Sequence, residues 1–204
     1  MISFSPSEEQ ESARDAMRSF AAQAMRPIAR DCDESESVTD AFLDQAWELG
    51  LAATQLGEDV GGYGSPRSPL TNAIVLEELA HGDAALALAA TAASGFAYAI
   101  ADQGSAEQRQ ALLPAFCGER FHAAAIALIE PRPSFDVERL DTRAERDGGG
   151  YLLHGEKSFV VLADRAEHFL VIARNGDRPA AFIVERDASG LTIGDRELHL
   201  GLKS

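Results

Sequence analysis

Two stretches of this 204-residue chain combine residue types that suit ligand binding. Ala127-Leu128-Ile129-Glu130-Pro131-Arg132-Pro133-Ser134-Phe135-Asp136 reads as a strand running into a proline-stiffened loop. A loop leaving a strand presents main-chain N–H groups that no ladder uses, and an acceptor-rich ligand can take them. Gly155-Glu156-Lys157-Ser158-Phe159-Val160-Val161 reads as a glycine turn followed by an aromatic and two β-branched residues. A strand carrying an aromatic can lay a flat face beside a planar ring. Taken singly, each stretch also reads as ordinary β structure, because strands favour these residues.

Other chemistries find less support. Gly155-Glu156-Lys157-Ser158 breaks the Gly-Lys pair of a phosphate-binding loop and lacks its upstream glycine. Gly61-Gly62-Tyr63-Gly64 follows no clear strand and reads as a structural turn rather than a dinucleotide loop. His81, His122, His154, His168 and His199 show no ligand spacing, so no metal site is expected and each reads as a surface or satisfied core histidine. There is no G-x-S-x-G elbow. Carboxylates are too abundant for an acid–base pair to be picked by type alone.

The charge balance sharpens this. Lys and Arg number 18 against 33 Asp and Glu, a net charge of −15, which disfavours polyanions such as nucleic acid. Cys32 and Cys117 are far apart and signal neither a disulfide framework nor a zinc ribbon. The first residues lack a basic and apolar leader, an expectation of the cytoplasm. Ala84 to Ala101 is uncharged and long enough to approach a membrane span. Its alanine content and its flanking Asp83 and Asp102 favour a buried core helix, with Leu88 among the buried residues.

These stretches need elements to position them. Ser5-Pro6-Ser7-Glu8 predicts a helix start at Ser5, with Ala13, Met17, Phe20, Ala21, Ala24 and Ile28 on one buried face. Asp31 to Ser37 reads as a polar link, then a short helix through Phe42 and Trp47 closed by Gly50. Leu56 to Ser65 reads as an irregular glycine loop, Leu70 to Ala80 as a third helix and the alanine run as a fourth. Ser105-Ala106-Glu107-Gln108 is a capping box that opens one more helix, ending near Gly118. After about residue 122 the apolar runs shorten to strand length. His122–Ile129, Thr142–Arg146, Tyr151–His154, Phe169–Ala173, Ala180–Val184 and Leu191–Ile193 read as strands, with a hairpin at Asp147-Gly148-Gly149-Gly150. The fold class is α+β: an all-α domain over 1–121, then an antiparallel β domain over 122–204.

In order, these segments resemble the acyl-CoA dehydrogenase family across the whole chain. Leu56 to Gly64 is similar to its L-P-x-x-x-G-G-x-G loop, and Val75-Leu76-Glu77-Glu78-Leu79-Ala80 to its V-x-E-E-L-A helix. Gly104 to Arg109 with Leu113-Pro114 resembles G-T-x-x-Q-K…L-P. Leu128-Ile129-Glu130-Pro131 is similar to L-T-E-P, and Gly155 to Phe159 to G-x-K-x-W/F. Gly190 to Gly194 and Leu200 to Ser204 resemble G-x-x-x-G…x-G-x-R-x-S.

The resemblance implies an α-helical domain, a middle β-barrel that is incomplete here, and a C-terminal helical bundle that this chain lacks. The implied activity is α,β-desaturation of an acyl-CoA thioester in fatty acid metabolism, with hydride transfer to FAD and onward passage to an electron acceptor. The catalytic glutamate would lie beyond Ser204, so no catalytic residue falls in this chain and it is expected to be inactive alone. The implied cofactor-binding positions are Ala127, Leu128, Ile129, Ser134, Phe135, Phe159, Val160 and Val161, with Phe135 also facing substrate. Several depart from the family pattern. Ile129 stands for a threonine, Phe135 for a serine, Phe159 for a tryptophan and Val161 for a threonine. FAD binding is therefore expected to be weak or absent. The alternative is a non-catalytic subunit in a homo- or hetero-oligomer of acyl-CoA dehydrogenase-like chains.

Overall fold

The computed structural model describes residues 5–196 and 200–203. His199 and the final Ser204, with part of the last family-like stretch, lie outside the described residues. Six α-helices come first: α1 Glu8–Phe20, α2 Arg26–Ser35, α3 Asp40–Trp47, α4 Pro69–Gly82, α5 Ala84–Gln103 and α6 Ala106–Leu112. Five strands follow: β1 Ala124–Ala127, β2 Arg143–Asp147, β3 Gly150–His154, β4 His168–Asn175 and β5 Arg178–Glu185.

Local chemistry sets most helix ends. Ser7, not Ser5, caps α1: its hydroxyl accepts the Gln10 N–H at 3.2 Å while Gln10 Oε1 accepts the Ser7 N–H at 3.0 Å. A reciprocal box satisfies two end groups of the helix. The same box closes between Ser105 and Gln108 at the start of α6. One π-turn at Ala21–Met25 carries α1 into α2, which continues through Ser35 rather than ending in a polar link at Asp31.

Packing explains the apolar face of the first helices. Met17, Ala21, Met25, Leu43, Leu79 and Leu86 form one core. The α5 helix is long and apolar enough by composition to cross a membrane, and Leu86, Phe96 and Ile100 are buried here inside the protein. Leu88 is 37% exposed, so the expectation that it is buried is corrected. A uniformly apolar run gives no phase from which its outward side can be read.

A second core joins helices to sheet, through Phe96, Ile100, Leu113 and Phe116 on one side and Ala124 and Leu170 on the other. Within the sheet, β5 lies antiparallel along the whole of β4. The other edge of β4 takes two strands in succession, both parallel: β1 opposite His168–Val171, then Arg143 and Ala144 of β2 opposite Arg174 and Asn175. β2 and β3 form the antiparallel hairpin that turns at Gly148 and Gly149. Antiparallel pairing thus holds for two of the four pairings. The parallel ones use the long connections after β1 and β3, which parallel strands require. Leu191–Ile193 forms no strand.

Candidate functional site

The segment leaving β1 and the segment leaving β3 run side by side. The Ser158 N–H donates to the Ile129 carbonyl at 2.9 Å. Lys157 Nζ donates to the Leu128 carbonyl and to Glu130 Oε1, both at 3.0 Å. The two charged side chains are 8% and 2% exposed. Glu130 also accepts the main-chain N–H groups of Asp141 at 2.9 Å and Thr142 at 2.8 Å, where the chain enters β2. One carboxylate therefore ties the two ends of the β1–β2 loop to each other and to the β3 exit. Burial alone would push its carboxyl up. The N–H groups of Asp141 and Thr142, with the Thr142 side chain and Lys157, outweigh that and hold it at about 2. Burial pushes the Lys157 ammonium down, and Glu130 opposes the shift.

Gly155 makes this closeness possible. It sits at φ 151°, and a Cβ there would lie 2.6 Å from the Thr142 Cα. Any side chain at 155 would force the β3 exit away from the β2 entry.

The sequence-derived positions fall as follows. Ala127 closes β1 and is buried; Leu128 and Ile129 are half-buried in the following loop. Val160 packs beside Ala125, Ala166 and Phe169, which anchors the second segment to the sheet. Val161 is half-buried and Phe159 is 62% exposed. Phe159 and Leu162 both have φ of 54°, so Gly155–Val161 is a looped segment followed by a turn, not a strand. This corrects the reading of Phe159, Val160 and Val161 as strand residues: left-handed backbone cannot continue a ladder. Ser134 is exposed and Phe135 half-buried, in a loop that Arg132 closes onto the carbonyls of Asp136 and Arg139. Among the described residues no hydrogen bond joins Ser134 or Phe135 to the 155–161 segment. The structure thus joins 128–130 to Lys157 and Ser158 by hydrogen bonds.

Elsewhere, Trp47, Leu51, Tyr63, Phe116 and Cys117 line a hollow of about 390 Å³ on the helical part, remote from these loops in sequence and sharing no residue with them. His122 and His168 stack 5.7 Å apart against Phe116 and Phe96. The His168 Nδ1 is buried without a partner, unlike the satisfied histidine its sequence context suggests. Among the described residues no group of three His, Cys, Asp or Glu is placed to hold a metal ion.

The family model for "Acyl-CoA dehydrogenase, N-terminal domain" matches residues 7–120, and that for the "middle domain" matches residues 125–204. The chain belongs to the acyl-CoA dehydrogenase family. It is 32% identical over 199 residues to the mitochondrial isobutyryl-CoA dehydrogenase of Dictyostelium discoideum, covering 95% of this chain and 47% of that one. It is 33% identical over 202 residues to the benzylmalonyl-CoA dehydrogenase of Aromatoleum aromaticum, covering 97% and 52%. An acyl-CoA dehydrogenase of Bacillus anthracis, solved in complex with FAD, superposes with a TM-score of 0.81 at 26% identity, covering 100% of this chain and 35% of that one. The chain spans about half the length of the curated relatives it matches.

The acyl-CoA dehydrogenase motifs point to two segments that the structure joins by hydrogen bonds, but residue type alone gave Glu130 and Lys157 no role. A signal was present for Glu130: it is the one charge in the otherwise apolar Leu128-Ile129-Glu130-Pro131, which a buried site tolerates only with a partner.

Proposed function

We propose that this chain is part of an acyl-CoA dehydrogenase-like flavoprotein that acts on an acyl-CoA thioester. The observation that carries the reading is the joining of the two family motifs, 127–130 and 157–161, by the Ser158–Ile129 and Lys157–Leu128 hydrogen bonds.

The residues fit a planar, apolar-faced group. Ile129, Phe159 and Val161 offer apolar contact, and the looped backbone leaves main-chain groups outside any ladder. Among the described residues the buried Ser158 hydroxyl has no partner, the kind of atom that a ligand acceptor satisfies. The flavin, when bound, supplies the hydride acceptor. This chain's own part is to hold and orient it and to exclude water from one side. No residue here is assigned as the base that removes a substrate proton.

At Ile129, Phe135 and Val161 the side chains present no hydrogen-bond donor. Those three positions favour a second reading, a subunit that keeps the family fold, binds FAD weakly and shapes an assembly with a catalytic homologue. One experiment separates the readings. The full-length protein is purified, its flavin content is measured, and acyl-CoA is added without oxygen. Bleaching of the flavin absorbance supports the dehydrogenase. A colourless protein that co-purifies with a flavin-bearing homologue supports the subunit, and a protein that neither binds flavin nor associates with such a chain overturns both.

A further inference from the structure

We propose that Lys157 and Glu130 are positioning residues: the buried pair sets the placement of the β1 exit loop against the β3 exit loop, and through it the affinity for FAD. The inference deepens the flavoprotein reading and rests on it for the flavin step alone.

The geometry carries it. Lys157 bridges a main-chain carbonyl of one loop and a carboxylate of the same loop from its place on the other. Glu130 then passes the constraint to the entry of β2 through two N–H groups. Thr142 closes the circuit, donating from Oγ1 to the Glu156 carbonyl at 3.4 Å, while its own carbonyl accepts the Arg174 N–H at 2.8 Å and so fixes it to β4. Arg132 approaches the same carboxylate at 3.8 Å. A buried ion pair adds little net stability over an apolar pair of similar size. Its directional bonds do something an apolar pair cannot: they fix where the carbonyls of Leu128 and Ile129 and the N–H of Ser158 lie relative to each other. Phe159, Val160 and Val161 follow directly from that tether. Neither charged side chain is exposed enough to touch a ligand itself, so the effect acts through the loops.

The test uses the full-length protein, Lys157→Met, and the double variant Glu130→Gln/Lys157→Met. The double variant removes both charges while the glutamine oxygen still accepts from Asp141 or Thr142. Three quantities are read: the melting temperature, the hydrogen exchange of the Ser158 amide and the Kd for FAD. Lys157→Met strands a buried carboxylate, so its melting temperature falls. The double variant recovers most of that loss, yet its Ser158 amide exchanges faster and its FAD affinity falls, each by about tenfold, the equivalent of one lost hydrogen bond. A purely structural pair would regain all three together, and that result overturns the proposal. Faster Ser158 exchange with an unchanged Kd overturns the flavin part while the flavoprotein reading stands. If the parent takes up no FAD, the flavoprotein reading falls, and the pair is judged on Ser158 exchange alone: faster exchange supports the placement role, and parental exchange overturns it.

Discussion

Leu79, Leu86 and Phe96 in the helical layers are wholly buried among apolar neighbours, whereas Glu130 and Lys157 are nearly as buried and hold their surroundings through hydrogen bonds and charge. The first region is fixed by shape and area, which many sequences satisfy. The second is fixed by direction, with one carboxylate serving both ends of the β1–β2 loop and the β3 exit. The comparison teaches that a core set by area and a junction set by directional bonds respond to different kinds of substitution. The junction beneath the loops is complete, while Ile129, Phe135 and Val161 on them offer no side-chain donor.

Substitutions in the two regions should fail differently. The largest expected effect is in the helices: Leu86→Asp should cost about 4 kcal/mol or more in urea unfolding, because a charge is buried without a partner. Leu88→Asp, four-tenths of the way to full exposure on the same helix, should stay within about 1 kcal/mol. Equal losses at the two positions would mean that α5 is covered on both sides.

Next is the junction. Glu130→Ala should cost about 3–5 kcal/mol, because Lys157 and two N–H groups lose their acceptor. The same group gives a pH signature. Its folded pKa lies below its ordinary 4.5, at about 2, so its stabilisation is full above 4.5 and is lost as pH falls towards 2. Acid titration monitored by thermal unfolding should therefore remove about 3 kcal/mol across that window, and Glu130→Gln should flatten the profile there. A profile identical in the two proteins would place the acid sensitivity elsewhere. A smaller effect tests the helical side again. Ser105→Ala removes the box at the start of α6 and should cost about 1 kcal/mol in urea unfolding at neutral pH.

Sequence reached some of this and not the rest, for identifiable reasons. The Asp147–Gly150 hairpin, the Ser105 box and the apolar face of Met17 and Ala21 are local patterns, and local patterns survive folding. The parallel pairing of β1 and β2 with β4 depends on which strands meet, and no periodicity encodes that. Phe159 looked like a strand residue because aromatics favour strands, but the Lys157 and Ser158 tethers bend the chain before it. Of the two motifs expected at the site, the structure joins Leu128–Glu130 to Lys157 and Ser158 through hydrogen bonds. The Glu130–Lys157 pair stayed hidden because a charge in a sequence reads first as surface.

The central claim is the proposal that the family's N-terminal and middle domains here carry loops at a flavin site that lack side-chain donors at Ile129, Phe135 and Val161. The most direct measurement titrates FAD into the full-length protein and into its Ile129→Thr/Phe135→Ser/Val161→Thr variant. Restoring two hydrogen bonds at about 1 kcal/mol each predicts roughly thirtyfold tighter binding in the variant, more if the Phe135 ring obstructs the site. A variant that binds no tighter than the parent would contradict the account.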